Sequence, residues 1–258
     1  MKAIERELQK IKKTEERMCR QSEKKKEVLW KAKLEERIPG KIMAGLQKAF
    51  SKAFYLIFEK GNIIIEKTYD RDSLEKDFQI RDFAIDLKGG RKEIGELKKA
   101  TAGGSAISTV LTTVEGIGLG ALGIGLPDIV IWVGFLLRSV YETALKYGFD
   151  YELPEEKVFI LEMLETAMLT GEEWKTANAL VDAYMKRDTH VVLTDEDVKI
   201  QLEKTANALA KDMLITKFIQ GIPIVGMVGG AANPVYYHKI MGYVQLKYRK
   251  RYLLEKLM

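Results

Sequence analysis

EGIGLGALGIGLPDIVIW, residues 115–132, is the stretch on which the reading of this chain turns. Gly118, Gly120 and Gly123 spell GxGxxG, the spacing by which a dinucleotide-binding loop is recognised. Such a loop needs a strand before its first glycine, a helix opening at its last, and an acidic residue about twenty positions on within a βαβ unit. The preceding TAGGSAISTVLTTVEG has no alternating β-branched run bounded by turns, and the glycines continue as Gly116, Gly118, Gly120, Gly123 and Gly125. No GxxxxGK[ST] occurs either, so the phosphate-cradling loop of nucleotide hydrolases is excluded. The glycines are expected instead in an apolar helix that turns at Leu126-Pro127-Asp128. Pro127 then opens an amphipathic helix, IVIWVGFLLRSVYETALKYG, with Asp128 at the positive end of its dipole and Gly148 as its stop.

From Ala102 to Leu137 the only charged side chains are Glu115 and Asp128. A second window, FIQGIPIVGMVGGAANPV at 218–235, is free of charge, and its Gly221-Ile222-Pro223 echoes Gly125-Leu126-Pro127. About twenty apolar residues suffice to cross a bilayer, but both windows are broken by Gly and Pro. They are expected to form two helical hairpins whose glycines let backbones approach closely. The hairpins are either a buried glycine-rich core or elements that enter the lipid interface. The latter reading assigns lipid contact to Leu119, Leu122, Ile124, Leu126, Trp132, Ile222, Val225, Met227 and Val228, with the rings of Trp132, Tyr236, Tyr237 and Tyr243 suited to that boundary.

Helical patterns fill the rest. KIMAGLQKAFSKAFYLIFEKG predicts a helix over about 41–60 with Ile42, Leu46, Ala49, Ala53, Leu56 and Ile57 on one stripe. NIIIEKTY at 62–69 has strand propensity but no partner strand, so helix or turn is expected. Asp72 and Glu75 have capping-box spacing before a helix ending at Gly89-Gly90. Pro154 opens a helix stopped by Gly171, Thr194 and Asp197 box the start of another, and Asn233-Pro234 open the last. KTANAL stands at 175–180 and again at 204–209, predicting two helices that use Ala and Asn for close approach rather than a structural repeat.

The net charge of +5 is unevenly placed. Residues 1–41 carry fourteen Lys/Arg against eight Asp/Glu, and residues 238–258 carry six against one. A basic arm and a basic C-terminal helix around a mildly acidic body suit an anionic partner, either phospholipid or nucleic acid. In KYRKRY at 247–252, Lys247, Arg249, Lys250 and Arg251 are the candidate contacts to an anionic surface. Lipid is preferred over nucleic acid because the same helix follows directly on the apolar hairpin. In the arm, Ile4, Leu8, Ile11 and Met18 trace a heptad that Glu15, Ser22 and Lys25 interrupt, which makes a weak coiled coil. The single Cys19 implies no internal disulfide, and no signal-peptide run opens the chain, so a cytoplasmic location is expected.

GLPDIVIWVGFLLRSVYETALKYGFD at 125–150 and GIPIVGMVGGAANPVYYHKIMGYVQLKYRKRYL at 221–253 resemble the EcsC family of bacterial proteins. The resemblance covers most of residues 40–255, with the charged arm outside it. The first block is also similar to the helical membrane-associated region of YcjF-type proteins. In some bacteria the EcsC gene lies beside those of an ABC transporter, so the resemblance implies an accessory role at the cytoplasmic membrane, with transporter subunits as partners.

No residue pattern names a reaction. His190 and His238 lie outside nucleophile or metal spacings and one cysteine excludes a thiolate zinc cluster, so no catalytic residue, metal or cofactor is assigned. The polar residues of the two blocks, Glu115, Asp128, Arg138, Glu142 and Asn233, are structural or ligand candidates, and Arg138 and Glu142 should meet four apart on one helix face. The expectation is an all-α protein with a charged N-terminal helical arm over 1–38 and a helical domain over 39–258 carrying two Gly/Pro-rich apolar hairpins. It attaches peripherally to the inner face of the cell membrane as a lipid-interacting accessory factor. The alternative is a lipid-acting hydrolase using carboxylates such as Glu115 and Asp128.

Overall fold

The computed structural model describes residues 2–23, 38–58, 65–102, 127–186, 193–220 and 232–258. Among these the chain is all-α, with nine helices and no strand. Residues 103–126 and 221–231, the glycine-rich stretches of the two windows, lie outside the described residues.

The centre of the fold is α5, Pro127–Lys146. Ile129, Val130, Val133, Leu136, Leu137, Val140, Tyr141 and Ala144 are fully buried. The polar residues Arg138, Ser139, Glu142 and Thr143 are buried too, which corrects the expectation of an amphipathic helix. Side chains are buried on every face of this helix, and α2 (Gly40–Leu56), α3 (Arg71–Lys88), α4 (Arg91–Ala102) and α9 (Ala232–Glu255) pack around it. Ser139 and Thr143 meet the interior by donating their hydroxyls to the carbonyls of Phe135 and Ser139, four residues back, at 3.1 and 2.8 Å. The helix ends at Gly148, where φ is +81°. Gly148 N–H donates to the Leu145 carbonyl and Phe149 N–H to that of Ala144, the paired bonds of a Schellman stop. A Cβ on Gly148 would collide with the ring edge of Phe78 on α3. Gly148→Ala is therefore expected to cost about 2 kcal/mol through strain and collision, read as a lower urea midpoint at unchanged slope.

A second buried helix, α6 (Pro154–Met168), packs on α7 (Gly171–Tyr184), α8 (Asp195–Gln220) and α9. The predicted stripe of α2 holds at Leu46, Ala53 and Ile57, but the largest side chains buried along it are Phe50 and Phe54. Phe50 meets Trp132 of α5 edge to face with centroids 6.2 Å apart. Burying such a ring contributes about 1.5–3 kcal/mol. Asp70, not Asp72, caps α3 by accepting from Ser73 N–H at 3.0 Å, and Gly89 ends it in the left-handed conformation. The Thr194–Asp197 box forms as expected, with both Thr194 N–H and hydroxyl on the Asp197 carboxylate. The two KTANAL copies present different faces. Thr205, Ala206, Ala208 and Leu209 are buried in α8, whereas Thr176, Ala179 and Leu180 are exposed in α7.

The arm helix α1 (Lys2–Ser22) lies against α4, α7 and α9. Ile4 and Ile11 are buried there, and Leu8 and Met18 are half-buried against the same core. Its heptad trace is thus a docking stripe on the body.

Candidate functional site

Arg138 and Glu142, one helical turn apart on α5, meet as the spacing predicts. Arg138 Nη2 lies 3.0 Å from Glu142 Oε1, and both side chains are 4% exposed. Lys146, the next turn along, reaches Glu142 Oε2 at 3.5 Å. Arg138 also donates from Nε to Thr68 Oγ1 at 2.6 Å and from Nη2 to the Thr68 carbonyl at 2.9 Å. Its Nη1 is buried without an acceptor among the described residues. Thr68 in turn donates its hydroxyl to the Ile65 carbonyl, so a short turn before α3 is clamped onto the central helix.

The same turn carries a chain of phenols. Tyr69 donates to Tyr151 at 2.7 Å and Tyr151 to Glu66 Oε1 at 2.7 Å. Tyr141 of α5 stacks on Tyr151 with centroids 4.1 Å apart. Arg71 closes the group, with its guanidinium over the Tyr151 ring and ion pairs to Glu75, Asp150 and Glu152. Burial pushes the hydroxyls of Tyr69, Tyr141 and Tyr151 above the ordinary phenol range. They remain protonated at neutral pH, so the chain passes hydrogen bonds without supplying a base. Its chemistry is that of a clamp joining the turn, α5 and the segment before α6.

The C-terminal cations face inward, where the sequence suggested an anionic surface. Lys247 is fully buried and pairs with Glu15 of α1 and, at 2.7 Å, with Asp182 of α7. Lys250 joins the same two carboxylates at 2.9 and 2.8 Å. Burial raises the Asp182 carboxyl, but Lys247 and Lys250 outweigh it and hold the group below the usual range. Arg251 binds Glu156 at 2.6 Å and lies over the rings of Phe149 and Phe159. Tyr248 donates to the same Glu156, whose carboxyl burial pushes up. Arg249 stands 3.6 Å from Glu7 of α1. These four cations are bound to carboxylates of this chain, because α9 is sandwiched between the arm and the body.

Of the aromatic residues expected at a lipid boundary, Trp132, Tyr236 and Tyr243 are buried and Tyr237 is half-buried. Trp132 is buried against Phe50. Tyr236 and Tyr243 are buried, bonded to the Asp212 carbonyl and to Asn178. Tyr237 stacks on Phe135 and donates to Ser139. His238 is exposed at the edge of Tyr237. Glu115, Leu119, Leu122, Ile124, Leu126, Ile222, Val225, Met227, Val228 and His190 lie outside the described residues. Asp128 and Asn233 stand in the first turns of α5 and α9, with their side chains outside the description.

Sequence reasoning missed a surface on α3. Ile80, Phe83 and Leu87 follow at spacings of three and four and are 68%, 67% and 69% exposed. The opposite side of the helix packs Leu74, Phe78 and Ile85 inward. Two apolar stripes on one helix were the available signal, since a surface helix needs only one. Among the described residues no helix is long and apolar enough to cross a membrane, and no group of three or more His, Cys, Asp or Glu is placed to hold a metal.

The family model of the EcsC protein family matches residues 2–253, arm included. No curated protein and no solved structure matches the chain.

Proposed function

The chain belongs to the EcsC protein family, and on that premise we propose that it is a cytoplasmic accessory protein that attaches peripherally to the inner face of the cell membrane and serves an ABC transporter system there. The observation that carries the lipid contact is the row Ile80, Phe83 and Leu87 on α3. Three large apolar side chains on one helix face, each two-thirds exposed, gain about 1.5–3 kcal/mol apiece on leaving water. A helix lying in the interface plane needs such a face and no transmembrane length. This moves the contact to α3 from the C-terminal cations, which are paired with carboxylates of this chain, and from Trp132, which is buried. The near absence of charge in residues 103–126 and 221–231 supports the same reading.

The test is flotation of the purified protein with vesicles of phosphatidylglycerol and phosphatidylcholine at low and high salt. Wild type is expected to float, with binding that survives high salt. The double variant Phe83→Asp, Leu87→Asp is expected to lose about tenfold or more of its bound fraction while unfolding at the wild-type temperature, since both positions are exposed. A parallel variant, Leu122→Asp with Val225→Asp, reports whether the glycine-rich windows contribute. A wild-type protein that never floats, or an α3 variant that floats as well as wild type, refutes the assignment.

A further inference from the structure

Between α1 and α4 lies an open cleft of about 420 Å³, lined among others by Arg6, Glu7, Lys10, Lys13, Arg91 and Lys98. Five of these six side chains are cationic. Glu7 engages Lys10 at 2.9 Å and Lys98 at 3.7 Å, and reaches back to Arg249 of α9 at 3.6 Å. Its single charge is therefore shared among three cations. Arg6, Lys13 and Arg91 are exposed and, among the described residues, none of them is paired with a carboxylate. The N-terminus of α4 adds little, because the Glu93 carboxylate already lies against Gly90.

Glu7 is the one carboxylate among these six and is already shared among Lys10, Lys98 and Arg249; the remaining like charges repel one another, and that repulsion is relieved by an anion held between them. The volume falls within the range of small-ligand sites. Two guanidinium groups and an ammonium match the donor geometry of phosphate oxygens, which guanidinium binds in bidentate fashion. Three unpaired cations call for a ligand carrying more than one negative charge.

We propose that the cleft between α1 and α4 is a binding site for a phosphorylated anion of two or more negative charges, held by Arg6, Lys13 and Arg91. The anion is either a lipid headgroup with two phosphates or a soluble phosphate compound. Its site is separate from the apolar row on α3, so either assignment stands if the other fails.

Two probes distinguish the sources. Calorimetric titration of the full chain with inorganic pyrophosphate tests the soluble form, and flotation with cardiolipin vesicles tests the lipid. The variant Arg6→Gln, Lys13→Gln, Arg91→Gln removes the site. A control, Lys2→Gln, Lys12→Gln, Arg17→Gln, removes equal charge from exposed positions of α1 that do not line the cleft. Losing three charge-assisted contacts predicts that the site variant binds its probe about 100-fold more weakly or worse. The control should bind like wild type. Pyrophosphate binding lost only in the site variant supports a soluble ligand, and cardiolipin flotation lost only there supports a headgroup. Binding of neither probe by wild type, or equal loss in variant and control, overturns the proposal. Because the Phe83→Asp, Leu87→Asp protein keeps the cleft, its pyrophosphate titration should match wild type even if the α3 assignment is wrong.

Discussion

Arg138→Met is expected to lower stability by about 3–5 kcal/mol, the cost of stripping one partner from a buried ion pair. The guanidinium that disappears holds Glu142, the Thr68 hydroxyl and the Thr68 carbonyl together at the centre of the fold. Methionine fills much of the space but takes the guanidinium from Glu142 and leaves the Thr68 carbonyl without the donor it has in Arg138. For a chain of this size that corresponds to a melting temperature about 6–20 °C lower. The change should add less than additively with Thr68→Val, because both act on one bond. A loss under about 1 kcal/mol would show that the clamp on α5 is energetically idle.

The second large effect is at Lys247. Its ammonium is fully buried between Glu15 and Asp182, so Lys247→Met leaves two carboxylates close together with, among the described residues, only Lys250 to hold them. A cost of about 3 kcal/mol is expected. Lys250→Met, at a side chain 18% exposed and with Lys247 still in place, should cost about 1 kcal/mol or less. The loss has a location as well as a size. Since Glu15 belongs to α1, backbone hydrogen exchange in α1 should accelerate in Lys247→Met while that of α6 barely changes. Equal effects of the two variants would contradict the buried position of Lys247.

Much of the fold was legible because helix ends are local. Pro154, Gly148, Gly89 and the Thr194–Asp197 box need only a few neighbouring residues to do their work, and the structure uses each of them. Burial is a tertiary property, and there the sequence misled. Arg138 and Glu142 made α5 look amphipathic because Thr68, the group that satisfies Arg138, lies seventy residues away. KYRKRY looked like a free basic surface for the same reason, since its carboxylate partners Glu15, Glu156 and Asp182 come from three other helices. Net charge by segment cannot reveal such cross-chain neutralisation. The stripe on α2 was placed nearly one position off, because Phe50 and Phe54 fill more of the groove toward α5 and α8 than the alanines beside them. On α3 the reverse held. Ile80, Phe83 and Leu87 lay in plain view of the sequence, but only the packing of Leu74, Phe78 and Ile85 reveals which stripe is left outside.

The hydrolase reading rests on Glu115 and Asp128, whose side chains lie outside the described residues. Glu142 is locked by Arg138 and Lys146, and the neighbouring phenols stay protonated. Membrane attachment, as proposed, therefore depends on α3 meeting lipid. The most direct measurement is electron paramagnetic resonance of a spin label at position 83, introduced as Phe83→Cys in a Cys19→Ser background, with and without phosphatidylglycerol vesicles. Entry of the α3 face into the interface predicts that, on adding vesicles, the label becomes more accessible to oxygen and less accessible to a water-soluble nickel chelate. A label that stays equally open to the chelate on vesicle-bound protein would place α3 outside the membrane and contradict the account.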